Sequence, residues 1–284
     1  MTKKDKKKVT TTVVTTVTEE IIESPSNEKT HIICVLDRSG SMCSIIKDSI
    51  GGFNTFLEKQ KTLPGEATIT VALFDDKYEL IYDNVNVKNA EILTKDVWFP
   101  RGNTALFDGI GKTIMTEKGN FKKLGKEAPA KVLVCIVTDG EENCSREYNS
   151  DSIKKLIKEC EDENWNFIFL AANQNAFATG SRFGMSFGNT FNYTASGQGV
   201  NKMSQVMSTA TASYRSMDSN SNHFKKMSKS LIDLDENDKN YNSGTLNLSG
   251  STITNSNGLL TINGSNISTS NVNYVSNSTS DVKV

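Results

Sequence analysis

Two short, unbroken apolar runs constrain the fold of this chain more than any other feature: Ile-Ile-Cys-Val-Leu at residues 32–36 and Val-Leu-Val-Cys-Ile-Val at residues 132–137. Neither run alternates with polar residues, so each suits a strand covered on both faces, as in a parallel sheet. Helical spacing follows each run. Ile46, Ile50, Phe53 and Leu57 recur after the first, and Pro64-Gly65 closes that segment; Ile153, Leu156, Ile157 and Cys160 recur after the second. Residues 68–74 and 78–82 predict two strands, and the short link Asp75-Asp76-Lys77 makes them an antiparallel hairpin. Asp75 and Asp76 themselves read as solvated turn residues. Leu106, Ile110 and Ile114 mark a helix opened at Thr104, and residues 166–172 predict another strand. A looser stretch with Gly180, Gly184 and Gly188 leads to a short strand at 190–193. A last helix over 200–215 turns Val200, Met203, Met207, Ala210 and Tyr214 inward. This alternation predicts an α/β, doubly wound, Rossmann-like fold: a mostly parallel central sheet with one antiparallel edge strand and helices on both faces.

Composition changes sharply on either side of that core. Apolar residues make up 36% of the 284, below the roughly 45–50% usual for globular chains, and the ends carry the deficit. Residues 1–28 form a biased arm: a lysine cluster, a Thr/Val stretch that predicts at most a strand near 13–22, then Glu19, Glu20 and Glu23. Residues 29–217 read as one domain. Residues 218–284 are rich in Asn, Ser, Thr and Gly, with short apolar alternations from Leu246 to Val275 that predict disorder or weak β structure.

Several function classes are disfavoured. A net charge of −1 provides no global field for nucleic acid or membrane. No run approaches the roughly 18 apolar residues of a membrane span, and threonine replaces an apolar signal core after the basic start, so the expected location is cytoplasmic. The five cysteines are odd in number and lack a C-x-x-C, signalling neither a disulfide framework nor a zinc site. Cys34 and Cys135 sit in apolar runs as inert thiols, while Cys43 and Cys144 fall in loops on the same end of the sheet. The only histidines, His31 and His223, lie at a strand's start and in the polar tail, which disfavours a hydrolase triad. Gly109-Ile110-Gly111-Lys112-Thr113 mimics the end of a phosphate loop, but Leu106 stands where the upstream glycine belongs. A haloacid-dehalogenase phosphatase would need an acid two residues after Asp37, where Ser39 stands. No G-x-G-x-x-G follows the first strand.

What remains is an oxygen-rich constellation. Ligands of open α/β sheets bind outside the carboxyl ends of the strands, and three segments place oxygen side chains there. Asp37-Arg38-Ser39-Gly40-Ser41 follows the first strand, Gly102-Asn103-Thr104 opens a helix, and Thr138-Asp139-Gly140-Glu141 follows the strand at 132–137. Gly40 is expected to let the first loop turn tightly. Two carboxylates and three hydroxyls suit a hard cation but cannot saturate it, which leaves a position for an outside carboxylate. Arg38 and Arg101 flank the set and read as solvated. Asp108 reads as a hydrogen-bonding residue behind it, and Glu141 and Glu142 as an acidic rim.

The D-x-S-x-S loop, the lone threonine in a G-x-T-A-L context and the T-D-G loop, in this order, resemble the metal-ion-dependent adhesion site of von Willebrand factor A (vWA) domains. The resemblance covers about residues 29–217. It is closest to small stand-alone members from bacteria, phages and large DNA viruses, as in Thr138-Asp139-Gly140-Glu141-Glu142-Asn143 and residues 167–173. It implies that Ser39 and Ser41 ligate a metal ion directly, with Asp37, Thr104 and Asp139 binding directly or through water. The implied function is a protein-binding module, not an enzyme, in which Mg²⁺ or Mn²⁺ coordinates an acidic residue of a protein partner. A Mg²⁺-dependent phosphohydrolase and an assembly protein acting through its tails are the alternatives.

Overall fold

The computed structural model describes residues 28–172, 176–185 and 189–219, together with the backbone of residues 245–248, 251–256 and 259–263. The arm at 1–27, including the strand expected near 13–22, lies outside the described residues, as does much of the tail.

The core is a six-stranded sheet in the order β3-β2-β1-β4-β5-β6. The strands are β1 (Thr30–Asp37), β2 (Ala67–Phe74), β3 (Tyr78–Asn86), β4 (Lys131–Thr138), β5 (Trp165–Ala172) and β6 (Thr190–Tyr193). All pairings are parallel except β2 with β3. The helices are α1 (Ile46–Thr62), α2 (Leu106–Leu124), α3 (Ser150–Asp162), α4 (Ala176–Arg182) and α5 (Gly197–Ser216). Every residue of β1, β2 and β4 is buried, as the unbroken apolar runs of β1 and β4 lead one to expect.

Because strand side chains alternate in direction, the sheet divides its apolar residues between two cores. Ile32, Cys34 and Leu36 join Phe53, Phe56 and Leu57 of α1 and Met203, Met207 and Tyr214 of α5 on one face. Ile33 and Val35 join Leu106, Ile110 and Ile114 of α2 and Ile153 and Ile157 of α3 on the other. Each fully buried Leu, Ile or Phe contributes roughly 1.5–3 kcal/mol by leaving water, so central β1 is held from both sides.

The glycines of the phosphate-loop mimic lie inside α2 and serve packing. A Cβ on Gly109 would meet Phe74 of β2 at 2.7 Å, and one on Gly111 would meet the Tyr148 ring at 2.5 Å. Three details depart from the sequence reading. Strand β3 runs on to Asn86 as a partly exposed edge strand; Asn84 has φ 52° and the register shifts opposite Ile69, Val71 and Ala72, the bulged geometry common at sheet edges. A short helix, α4, occupies the first part of the looser stretch. Lys131, at the start of β4, is wholly buried, and its ammonium donates to the carbonyls of Arg215 and Met217 at 2.8 and 2.6 Å.

In the tail, β7 (Thr245–Leu248), β8 (Ser251–Ser256) and β9 (Leu259–Asn263) pair as a three-stranded antiparallel sheet. Among the described residues, no helix is long and apolar enough to cross a membrane.

Candidate functional site

Strands β1 and β4 are adjacent and parallel, with Leu36 opposite Val137. Their carboxyl ends therefore deliver Asp37 and Asp139 to the same edge of the sheet. The Asp37 carboxylate is fully buried and fixed at both oxygens: Oδ1 accepts from the Ser39 backbone N–H at 2.6 Å, and Oδ2 accepts from the Thr138 hydroxyl at 2.6 Å. Its backbone carbonyl accepts from the Trp98 indole at 2.9 Å. Past Ser39 the chain enters a single 3₁₀ turn, Gly40–Ser44, which brings the two serines together with 2.9 Å between their hydroxyl oxygens. The Ser41 hydroxyl donates to Asp139 Oδ1 at 2.6 Å. Ser39, Ser41 and Asp139 thus form one hydrogen-bonded chain beside Asp37, across a sequence separation of about a hundred residues.

Thr104 completes the set. A Cβ built on Gly140 would lie 3.1 Å from the Thr104 hydroxyl oxygen and 3.2 Å from that of Ser41, so both hydroxyls converge on the space that this glycine leaves open. Gly40 serves a similar close approach. Its N–H donates to the Gly102 carbonyl at 3.1 Å, where a Cβ would sit 3.3 Å from that oxygen. Gly40 is not among the residues with positive φ, so proximity of backbones, rather than an unusual turn, is what requires glycine there. Gly102 does need its conformation: its φ is +66°, and a Cβ would fall 1.9 Å from Asp76 Oδ1.

Electrostatics follow from burial. Asp37 has its pKa pushed up to about 6, mainly by desolvation, against the lowering effect of its bonds from Thr138 and Ser39; the nearby Asp139 charge adds to the rise. Asp139 is also shifted upward, by burial first, with the Ser41 bond opposing. Two carboxylates that are costly to ionise and lie within each other's field favour a bound cation. The donor set is all oxygen, as Mg²⁺ and Mn²⁺ prefer. Among the described residues, no group of three or more His, Cys, Asp or Glu side chains could hold a metal ion; here three of the five candidate ligands are hydroxyls. The residues present therefore fit a hard, incompletely coordinated cation.

The third loop is sewn to the start of α2. Asn143 Oδ1 accepts from the Thr104 N–H at 2.9 Å, and its own N–H donates to the Thr104 carbonyl at 3.0 Å. Glu142 accepts from the N–H groups of Phe107, Cys144 and Ser145, so it is a loop brace more than a rim charge, whereas Glu141 is exposed. Asp108 accepts from the N–H groups of Arg146, Glu147 and Tyr148 at 2.9–3.0 Å, the supporting hydrogen-bond role expected of it.

Two sequence expectations are corrected. Asp75 is no solvated turn residue: it is fully buried and accepts from Arg38 Nε at 3.0 Å and Arg101 Nε at 2.6 Å. Arg38 is likewise fully buried and pairs also with Glu79. Arg101 is half-buried, and its guanidinium lies 5.2 Å from the centre of the Phe99 ring. Both arginines turn towards Asp75 because a buried charge must be paired. Cys43 and Cys144 are free thiols. His31 is buried at the opposite end of β1, with Nδ1 2.7 Å from the Thr68 hydroxyl and Nε2 3.4 Å from Glu117.

No family profile and no curated protein matches the sequence. Solved structures do match in fold. The pilus adhesin SpaC from Lactobacillus rhamnosus GG, in its open conformation, gives a TM-score of 0.51 at 12% identity over 65% of this chain and 30% of that one. Manganese-loaded TRAP protein from Plasmodium vivax gives 0.47 at 14% identity over 62% of this chain and 72% of that one. A von Willebrand factor type A structure from Catenulispora acidiphila gives 0.44 at 13% identity over 64% and 42%. This chain thus spans less than two thirds of several of the chains it matches. Identities this low speak to the fold alone.

Proposed function

Because the central domain has the von Willebrand factor A fold, we propose that it is a metal-dependent protein-interaction module. Asp37, Ser39, Ser41, Thr104 and Asp139 would hold one Mg²⁺ or Mn²⁺ at the carboxyl edge of the sheet, and an exposed Asp or Glu of a protein partner would complete the coordination. The observation that carries this reading is the chain Ser39–Ser41–Asp139 beside buried Asp37, with the Thr104 hydroxyl facing the same space over Gly140. The metal would supply an electrophile. The protein's own residues would fix where it sits: Trp98 and Thr138 hold Asp37, and Asn143 holds the backbone of Thr104. With hydroxyls as most of the donors, a bound ion would keep affinity for an added carboxylate, which suits recognition without turnover.

Titration calorimetry of the full chain with Mg²⁺ and Mn²⁺ tests the site. One ion is expected, and binding is expected to disappear in the double variant Asp37→Ala/Thr104→Ala. Equal binding by that variant overturns the assignment. A pull-down with Mg²⁺ against chelator then tests the function: capture that ignores both chelator and Asp139→Ala places recognition on another surface. Turnover of phosphate esters that requires Mg²⁺ and Asp37 would favour a phosphohydrolase instead.

A further inference from the structure

Between the first two site loops lies a buried charge hub whose parts are far apart in sequence. Asp75 Oδ2 accepts from Arg38 Nε at 3.0 Å and from Arg101 Nε at 2.6 Å, while Oδ1 accepts from the Lys77 N–H at 2.6 Å. Arg38 stands between Asp37 and Ser39, and Arg101 stands three residues before Thr104. The backbone repeats the connection. Arg38 N–H donates to the Phe74 carbonyl at 2.8 Å, Arg101 N–H to the Arg38 carbonyl at 2.8 Å, and Ala105 N–H to the Asp75 carbonyl at 3.0 Å. Asp75 Oδ2 therefore grips both the loop that carries Asp37, Ser39 and Ser41 and the loop that carries Thr104.

We infer that Asp75 is a positioning residue for the metal site proposed above, setting Thr104 against residues 37–41 through the two arginines. The inference rests on that reading of the site. Its physical content concerns the arginines. A guanidinium close to a cation site weakens cation binding by Coulomb repulsion, so free arginines would be a poor choice there. Paired with Asp75 and Glu79, their charge is offset and their planar forks become rigid struts. Arg38 is wholly enclosed, with Nη2 lacking a hydrogen-bond partner; it cannot turn to solvent if Asp75 is lost. Arg101 is 35% exposed in its side chain and can be replaced without opening the core.

The opposite signs of the two effects make the test. Mn²⁺ affinity of the full chain is measured by calorimetry for the parent, Arg101→Gln, Arg101→Lys and Asp75→Asn. Melting in chelator establishes that each is folded. Hydrogen exchange at residues 101–105 of the metal-free proteins reports loop order independently of metal. Positioning predicts that Arg101→Gln weakens Mn²⁺ binding by about 10- to 100-fold, the usual effect of losing a group that orients metal ligands. It also predicts faster exchange in the loop, and weaker binding both by Arg101→Lys, although the charge is kept, and by Asp75→Asn, whose unchanged affinity and exchange would overturn the role of Asp75. A purely electrostatic role predicts tighter binding by Arg101→Gln and no change with Arg101→Lys. Equal or tighter binding by both Arg101 variants overturns the inference while leaving the metal site standing. A parent that binds no Mn²⁺ overturns both.

Discussion

Replacing Asp37 by Asn should make the metal-free protein more stable, although it removes the most deeply buried residue of the candidate site. The carboxyl has its pKa raised from 3.8 to about 6, chiefly by burial. Its folded value therefore exceeds its unfolded one, and ionisation opposes folding. The penalty is full above pH 6, fades as pH falls from about 6 to 3.8, and is absent below that. A rise of this size corresponds to about 3 kcal/mol at neutral pH. Asn carries no charge to desolvate, and the local bonds accommodate it. Its Oδ1 still accepts from the Ser39 N–H, and its Nδ2 can donate to the Thr138 hydroxyl, which turns fully to the Gly140 carbonyl 3.0 Å away. A domain of this size gains roughly 2–4 °C per kcal/mol, so Asp37→Asn should melt about 6–12 °C above the parent in chelator at pH 8. At pH 4 the difference should largely vanish.

Metal should close most of that gap. At about 100 times its dissociation constant, Mg²⁺ stabilises the parent by about 2.7 kcal/mol and the variant by nothing. The assay is a set of melting curves for both proteins, in chelator and in Mg²⁺, at pH 4 and 8. An Asn variant that melts lower than the parent in chelator at pH 8 would refute the desolvation reasoning. Equal stabilisation of both proteins by Mg²⁺ would refute the role of Asp37 as a ligand. If Asp37 merely shaped a turn, Asn would be nearly neutral in every condition.

The affinity for Mn²⁺ should fall as pH drops through about 6, because protons compete for Asp37 and Asp139; calorimetry at pH 5 and 7.5 giving one affinity would count against both as ligands. Gly140→Ala should weaken Mn²⁺ binding with little change in melting in chelator, since its Cβ would crowd the Thr104 and Ser41 hydroxyls, which lie 3.1 and 3.2 Å away; unchanged affinity would mean that those hydroxyls do not share a ligand. Gly102→Ala should destabilise the fold by about 1–3 kcal/mol, because φ is +66° and Asp76 Oδ1 lies 1.9 Å from the new Cβ; adding Asp76→Ala should recover only the steric part, and full recovery would show that the backbone is unstrained.

Much of the fold was legible because it is written locally. The apolar runs at 32–36 and 132–137 have no polar face, and a strand with two buried faces is the simplest way to enclose them. Helices α1, α3 and α5 follow from their spacing. Strand β3 reaches beyond the 78–82 that the sequence predicts because it is an edge strand: its residues are partly exposed without a regular alternation, and a bulge carries it to Asn86. The candidate ligands were legible for a different reason. They occur in three short motifs, each just beyond a strand or at a helix start, where the fold collects chain ends.

The hub around Asp75 shows where such reading stops. Arg38, Asp75 and Arg101 are charged residues in loops, and the local expectation for each is solvent. What buries them is tertiary: β2 lies beside β1, so Phe74 at the end of one strand is opposite Asp37 at the end of the other. That register puts the next residues, Arg38 and Asp75, side by side, although 37 positions separate them in sequence. Once Arg38 is enclosed, an unpaired guanidinium would cost several kcal/mol, and Asp75 answers it. The same pair then captures Arg101 and with it the segment that carries Thr104. The register of β1 against β2 thus helps to set the spacing of the candidate ligands. A substitution that shifted this register would displace Thr104 relative to Asp37 even if all five ligand residues were kept.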